Sequence, residues 1–449
     1  MLVRFAVENY LSFKDKTEFN MLTGNPRRLM HHVYKQNDVE LLKMAAIYGA
    51  NGSGKSNFVE AIAGLRNLII SGVMFIFNNK KFKLNVQNEQ LPISFEIEFI
   101  EKGVMFLYSI DIDNFIITKE KLCLSKIEGE DELIFERLFI DNKIKINFNE
   151  KYKQTATDKL RIKLYEDELL KNNETLLAKL NESKEGFDIV KQAYNWFFVY
   201  LVAMNQKVTL GHLMLIYPAM YDFVKKYIKE FNIGIHDFEV GTFSFNEYFG
   251  ENNTQLKNEL IEKLKIEPFV ELEKHLGLTD LKSKTTVAII ENNYYVVKKL
   301  VTYHLDDKNI KVLFDPNEES DGTIRLWDLL PAIYWVLTTP CVVIIDEIEN
   351  SIHPYLLKEL IRKFSENKET KGQLVFTTHE SNLLDQEIFR QDEIWFAEKN
   401  TEGATSLFPM SDFNVRYDLD IRKGYLNGRF GAIPFLSNFN DLNWKLNAE

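Results

Sequence analysis

The chain has 449 residues, 66 acidic against 55 basic side chains, a formal charge of −11 and a hydrophobic content of 45%. That length allows two or three domain-sized units with ample apolar surface to bury, and the composition excludes a disordered or disulfide-framed chain. The net acidity disfavours a dedicated nucleic-acid binder, whose affinity would come largely from phosphate contacts.

Only two cysteines occur, Cys123 and Cys341, far apart in sequence, so no disulfide framework and a reducing cytoplasm are expected. The most apolar region, Leu329 to Ile345, is interrupted by Pro331, Thr338, Thr339 and Pro340, and reads as a helix followed by a strand. Nothing reaches the eighteen or so uninterrupted apolar residues of a membrane span, and no signal peptide precedes Met1-Leu2-Val3-Arg4. A soluble cytoplasmic protein is the expectation.

In chain order, residues 1–20 alternate like a strand pair. Met44-Ala45-Ala46-Ile47-Tyr48 reads as a strand and Asn57-Phe58-Val59-Glu60-Ala61-Ile62-Ala63 as the start of a helix. Between them stand Gly49-Ala50-Asn51-Gly52-Ser53-Gly54-Lys55-Ser56, which match G-x-x-x-x-G-K-[ST] at every fixed position. The glycines let the backbone curl so that successive N–H groups, backed by a helix dipole, point at phosphate oxygens. Lys55 can then reach the β- and γ-phosphates of ATP, and the Ser56 hydroxyl can hold Mg²⁺.

Residues 92–118 show period two, which predicts a β-rich lobe beside this loop. From about 150 to 284 the period lengthens, with amphipathic helices predicted over Tyr217–Phe231 and Gln255–Leu264. Without sustained heptads, this stretch predicts a compact helical subdomain. Strands return over 286–314. Glu318-Glu319-Ser320-Asp321-Gly322-Thr323 then opens the helix-like Ile324–Leu330. There Ser320 and Gly322 present a hydroxyl and N–H groups to an anion, although Ser-Asp-Gly is also ordinary N-cap chemistry. The strand Cys341–Ile345 ends in Asp346 and Glu347, fit respectively to support Mg²⁺ and to deprotonate an attacking water, and Gln373–Thr378 ends at His379.

Some three hundred residues separate Lys55 from Asp346, far more than in compact ring-forming ATPases. Together with Phe5–Lys14, the GANGSGKS loop, ESDGT, IIDEIENSIHP, TTHES and the block Arg416–Phe435, this organisation resembles bacterial ATPases of the RloA and AbiL type. Those are relatives of the SMC, RecF and OLD heads, and the chain is also similar to the AriA ATPases of PARIS anti-phage systems. The resemblance covers roughly residues 1–125 and 285–435, and the middle only by order and length.

The resemblance implies an α/β fold, an ABC-type P-loop ATPase head with a mixed sheet, flanking helices and a β-rich lobe. The head would be divided into 1–125 and 285–449 by a mostly helical insertion over 126–284, in place of a coiled-coil arm. It implies that Ser320 and Gly322 contact the γ-phosphate held by a second subunit, that His379 is the switch histidine, and that heads form a homodimer or higher oligomer around ATP. It also implies control of a separate, nuclease-like effector, with a phage protein as a trigger. The metal-sensing glutamine stays open among Gln154, Gln192 and Gln206.

About seventy residues follow His379, too few for an OLD-type nuclease domain, and Asp111 and Asp113 read as solvent-face acids of a strand. Local basic groups that could touch nucleic acid are Arg27, Arg28, His31 and His32, or Arg416, Arg422, Lys423 and Arg429; solvated charges or nucleotide- and subunit-facing contacts are the simpler reading of both. The expected function is an ATP-hydrolysing switch. The alternatives are an ATP-dependent scaffold with slow turnover or a RecF-like repair ATPase. Glu347 and His379 together argue for hydrolysis, since a scaffold needs no water-activating pair.

Overall fold

The computed structural model describes residues 1–24, 28–36, 39–72, 74–152, 155–204, 210–265, 275–277, 285–413 and 415–433. At its centre is a six-stranded sheet in the order Leu201–Met204, Val342–Ile345, Gln373–Thr378, Met44–Gly49, Ile394–Lys399, Thr405–Pro409. All strands run parallel except the last, which closes a hairpin with its predecessor. The histidine-bearing strand Gln373–Thr378 lies between the phosphate-loop strand and the carboxylate strand, so all three strand ends open on one edge.

Both faces of this sheet are covered, as the continuous apolar runs of its strands require. Alternation assigns each side chain to one of two cores. Ala45, Ile47, Val342, Ile344, Val375, Trp395 and Ala397 join the core that holds helix Lys55–Ser71. Met44, Ala46, Tyr48, Val343, Ile345, Leu374, Phe376 and Phe396 join the core built by helices Pro218–Phe231, Asp321–Thr338 and Pro354–Ser365. Gly72, at φ 62°, ends the phosphate-loop helix by donating its N–H to Leu68 O.

The β-rich lobe is a seven-stranded antiparallel sheet, ordered Lys143–Phe148, Glu132–Ile140, Ile116–Leu124, Val104–Asp113, Ile93–Glu101, Leu2–Glu8, Thr17–Asn20. Its two-residue turns Lys102-Gly103, Asn114-Phe115 and Asp141-Asn142 all have positive φ, the conformation that matches the twist of a hairpin. A third sheet joins Asp237–Ser244, Tyr294–Leu305, Thr286–Glu291 and His275–Gly277, with Lys311–Phe314 paired to Tyr294–Leu305.

The segment 126–284 contains the expected helices, observed as Pro218–Phe231 and Thr254–Lys265 among others. It also supplies strands to all three sheets. Glu132–Ile140 and Lys143–Phe148 lengthen the antiparallel sheet, Asp237–Ser244 joins the third, and Leu201–Met204 pairs with Val342–Ile345 in the central one. Leu201–Met204 is four fully buried residues, too short for its period to distinguish strand from helix. Helix Asp321–Thr338 runs through Pro331, whose missing N–H and ring would break a less supported helix; Leu329, Leu330 and Ala332 around it are fully buried.

Cys123 and Cys341 are buried free thiols. No helix among the described residues is long and apolar enough to cross a membrane. The terminal block is core-forming over its described part: Tyr425 and Phe430 stack on Phe396, with ring centroids 5.7 and 5.6 Å away, and Tyr425 meets Tyr48. Pro434 and Phe435 of that block lie outside the described residues.

Candidate functional site

The phosphate loop leaves strand Met44–Gly49 and enters the helix at Lys55. Gly54, the N-cap, has φ 106° and no side chain to cap the first turn, so the N–H groups of Lys55, Ser56 and Asn57 have no partner within the helix. A Cβ on Gly54 would stand 2.2 Å from Thr405 Oγ1, and one on Gly49 would stand 2.5 Å from Ala397 O. Glycine is therefore required at both positions by close approach. Ser53 Oγ is buried without a partner among the described residues.

Lys55 is buried, and its ammonium donates to Gly49 O at 2.8 Å and Ala50 O at 3.0 Å, with His379 Nδ1 3.4 Å away. Burial lowers its pKa to about 8, although Glu349, Asp346 and Glu347 pull in the opposite direction. His379 titrates below its ordinary range, first because of burial and then because of the Lys55 charge. Its backbone N–H donates to Glu349 Oε1 at 2.5 Å.

The carboxylates are held by a short network. Thr377 Oγ1 donates to Asp346 Oδ1 at 2.6 Å and accepts from the Glu347 N–H at 2.8 Å. The Asp346 N–H donates to Met204 O at 2.9 Å. Glu347 is left-handed, at φ 47°, a conformation that costs a non-glycine residue about 1–3 kcal/mol and persists only when its surroundings enforce it. Here Asn350 N–H and Arg325 Nη2 both donate to Glu347 O, at 3.0 and 3.2 Å. Arg325 Nη2 also donates to Asp346 O, and burial lowers the guanidinium pKa.

These elements surround an open cleft of about 630 Å³, lined by residues 51–57 and 349–351 with Glu347, His379 and Lys399. Thus Asn51, Gly52, Ser53, Gly54, Lys55, Ser56, Glu347 and His379 come together. Gly49 and Ala50 join them through Lys55, and Asp346 through Thr377. The orphaned Ser53 hydroxyl and the uncapped N–H groups fit an anion, and the Ser56 hydroxyl and Asp346 carboxylate are hard oxygen donors that fit Mg²⁺.

Ser320 and Gly322 do not line this cleft. Ser320 caps its own helix, with Oγ accepting the Thr323 N–H at 3.1 Å. Gly322 abuts the loop after Glu347: a Cβ there would lie 2.7 Å from Ser351 O.

Gln192 donates to Glu101 O at 2.6 Å and is not among the residues lining the cleft, while Gln154 and Gln206 lie outside the described residues.

The basic groups divide between contacts within the fold and exposed positions. His32 is buried against Glu393 and Ser365, His31 bonds to Ser365 O, and Arg28 covers the Tyr417 ring. Arg429 covers Phe430, Arg416, Arg422 and Lys423 are exposed, and Arg27 lies outside the described residues. Asp113 pairs with Lys81 at 2.6 Å. Sequence reasoning missed Arg325, Lys399 and Thr405, and named Ser12 only within a motif; its hydroxyl accepts from Asn57 at 2.7 Å and lies 2.8 Å from Thr405 Oγ1. The helical step from Ser320 to Arg325 and the strand ending at Lys399 were available signals, but neither forms a motif.

A family model described as "AAA domain, putative AbiEii toxin, Type IV TA system" matches residues 44–385, well over half of the chain. The SMC head domain from Thermotoga maritima is similar in structure, with a TM-score of 0.37, 12% identity, and 91% of this chain and 98% of that one covered. So is the SMC head bound to the C-winged helix domain of ScpA, with a TM-score of 0.40, 12% identity, and coverage of 91% and 97%. No curated protein matches. With the phosphate loop, the carboxylate strand and His379 all inside the matched region, the chain belongs to this AAA-domain family of P-loop ATPases.

Proposed function

We propose that the protein is an ATP-hydrolysing molecular switch. The observation that carries this reading is the convergence of Lys55, Glu347 and His379 on the cleft of the phosphate loop. The uncapped N–H groups of Lys55, Ser56 and Asn57 receive phosphate oxygens, and Lys55 exchanges the Gly49 and Ala50 carbonyls for the β- and γ-phosphates. Ser56 and Asp346 would hold Mg²⁺, which when bound neutralises phosphate charge. Glu347 orients water and takes its proton. The His379 imidazole donates to negative charge developing on the γ-phosphate.

Ser320 and Gly322 stand outside their own cleft at the start of an 18-residue helix, so in this reading they complete the site of a second copy. Closure of two heads on ATP would be the switched state. Arg325, on the same helix, grips the carbonyls of Asp346 and Glu347, which gives a rigid link between one copy's ATP and the other copy's base. Control of a separate nuclease-like effector in phage defence is supported by the resemblance of the motifs to those of RloA, AbiL and AriA ATPases.

The biochemical test is phosphate release by the wild type and by Lys55→Ala, with oligomeric state followed in ATP and ADP. A protein that neither binds nor turns over ATP overturns the reading. For the defence role, Lys55→Ala in the native gene neighbourhood should abolish protection in a plaque assay; equal plaquing with and without the intact locus rejects that role alone.

A further inference from the structure

Strand Ile394–Lys399 lies directly beside the phosphate-loop strand, with Ala397 paired to Gly49. Along it Trp395 and Ala397 enter the core that contains the phosphate-loop helix, whereas Ile394 and Phe396 enter the opposite one. Lys399 belongs by parity to the Trp395 and Ala397 series, so it emerges on the side of that helix, two residues beyond Gly49. Across the hairpin Lys399 pairs with Thr405, whose hydroxyl lies 2.8 Å from Ser53 O.

Lys399 lines the cleft and also an adjoining hollow of about 510 Å³ that shares Asn57 and includes Ser12. Lys55, Glu347 and His379 line only the first of these spaces. Lys80 pairs with Glu60 at 2.8 Å, Lys81 with Asp113 at 2.6 Å and Lys14 with Glu402 at 2.5 Å; Lys83 lines the hollow but, unlike Lys399, does not line the cleft of the phosphate loop. The Lys399 ammonium makes no hydrogen bond or ion pair among the described residues.

We propose that Lys399 is a second phosphate-binding cation, acting within its own chain on the α- or β-phosphate that ADP and ATP share. This rests on the reading of the cleft as a nucleotide site. Lys55, His379 and Glu349 are mutually close, the first two 3.4 Å apart and the last two joined at 2.5 Å, and they form the γ-phosphate end. Lys399 stands at the other end, where the cleft opens toward Ser12 and Asn57, and there it distinguishes a nucleoside diphosphate from a bare anion held by the loop alone.

The test is calorimetric titration of the full-length protein with ADP and with ATP, for the wild type, Lys399→Gln and Lys399→Arg. A charge-assisted hydrogen bond of ordinary strength predicts a loss of about 10- to 100-fold in Lys399→Gln, equal for ADP and ATP. KM for ATP should rise by the same factor, with kcat affected less. Lys399→Arg should recover most of the affinity. The ligand-free unfolding midpoint of Lys399→Gln should match the wild type, since the side chain is exposed and unpaired. Unchanged ADP affinity in Lys399→Gln overturns the proposal, and so does a loss confined to ATP and kcat, which would move Lys399 to the γ-phosphate. Failure of the wild type to bind ADP instead overturns the nucleotide reading of the whole cleft.

Discussion

Glu349 holds His379: its Oε1 accepts the histidine backbone N–H at 2.5 Å, tying the loop after the carboxylate strand to the loop after the neighbouring strand. This contact separates two glutamates only two residues apart. Both line the cleft, but one Glu349 oxygen is engaged by the His379 N–H, whereas Glu347 stands on a left-handed backbone held by Thr377, Asn350 and Arg325.

Glu347→Gln should therefore retain nucleotide while slowing hydrolysis by about 10²–10⁴-fold, the usual contribution of a general base. Glu349→Gln keeps an acceptor oxygen for the His379 N–H and should slow it far less. Steady-state phosphate release beside ADP affinity checks both variants; the reverse order would make Glu349 the base.

Lys55 makes the site sensitive to pH. Burial lowers its pKa from 10.5 to about 8, so the folded protein loses this proton well before the unfolded chain does. Between those values the unfolded state binds more protons, and stability rises with pH. The cost of burying the charged form is present in full below pH 8 and is relieved as pH climbs toward 10.5. Lys55→Met should accordingly stabilise the ligand-free protein at pH 7, with the gain fading at alkaline pH. ADP affinity, which needs the ammonium, should fall above pH 8. Denaturant unfolding and ADP titration at pH 7 and pH 9 read the two effects.

Ser320 has a local duty that any test of a role between subunits must preserve. Ser320→Ala removes the N-cap acceptor and should cost about 1 kcal/mol of stability. Ser320→Asp keeps an acceptor for the Thr323 N–H and adds a negative charge where a partner's γ-phosphate is expected. It should unfold near the wild-type midpoint, bind ATP as a monomer, and fail to dimerise on ATP in light-scattering measurements. Loss of ATP affinity in the isolated Ser320→Asp monomer would mean that the motif acts within its own chain.

Thr377→Val tests the carboxylate network. The substitution is nearly equal in volume but deletes the donor to Asp346 Oδ1 and the acceptor of the Glu347 N–H. Leaving both groups short of a partner should cost about 1–3 kcal/mol. Thermal melts measure that cost, and a Mg²⁺ titration of phosphate release should shift to higher concentration as Asp346 loses its orientation.

Gly54→Ala combines two penalties, a backbone at φ 106° and a Cβ 2.2 Å from Thr405 Oγ1. It should destroy ADP binding and lower the unfolding midpoint, whereas Gly52→Ala, with open space around it at φ 77°, should be milder. Equal effects in calorimetry would show that the Thr405 contact contributes nothing.

What the sequence alone determined are the features set within a few residues of one another. The phosphate loop follows from Gly49, Gly52 and Gly54 between a strand and a helix, and the Asp346-Glu347 and His379 strand ends follow from apolar runs that stop at polar groups. Other features depend on partners hundreds of residues away, and only the tertiary structure decided them. Leu201–Met204 becomes a central strand because Val342–Ile345 offers it an edge. His32 becomes a core residue because Glu393 and Ser365 meet it. Lys399 reaches the phosphate loop because its strand pairs with Gly49 in one register; a slip by one residue would turn it toward the opposite face. Arg325 reaches the Asp346 and Glu347 carbonyls because its helix docks against Ser351, where only a glycine at 322 lets the backbones approach.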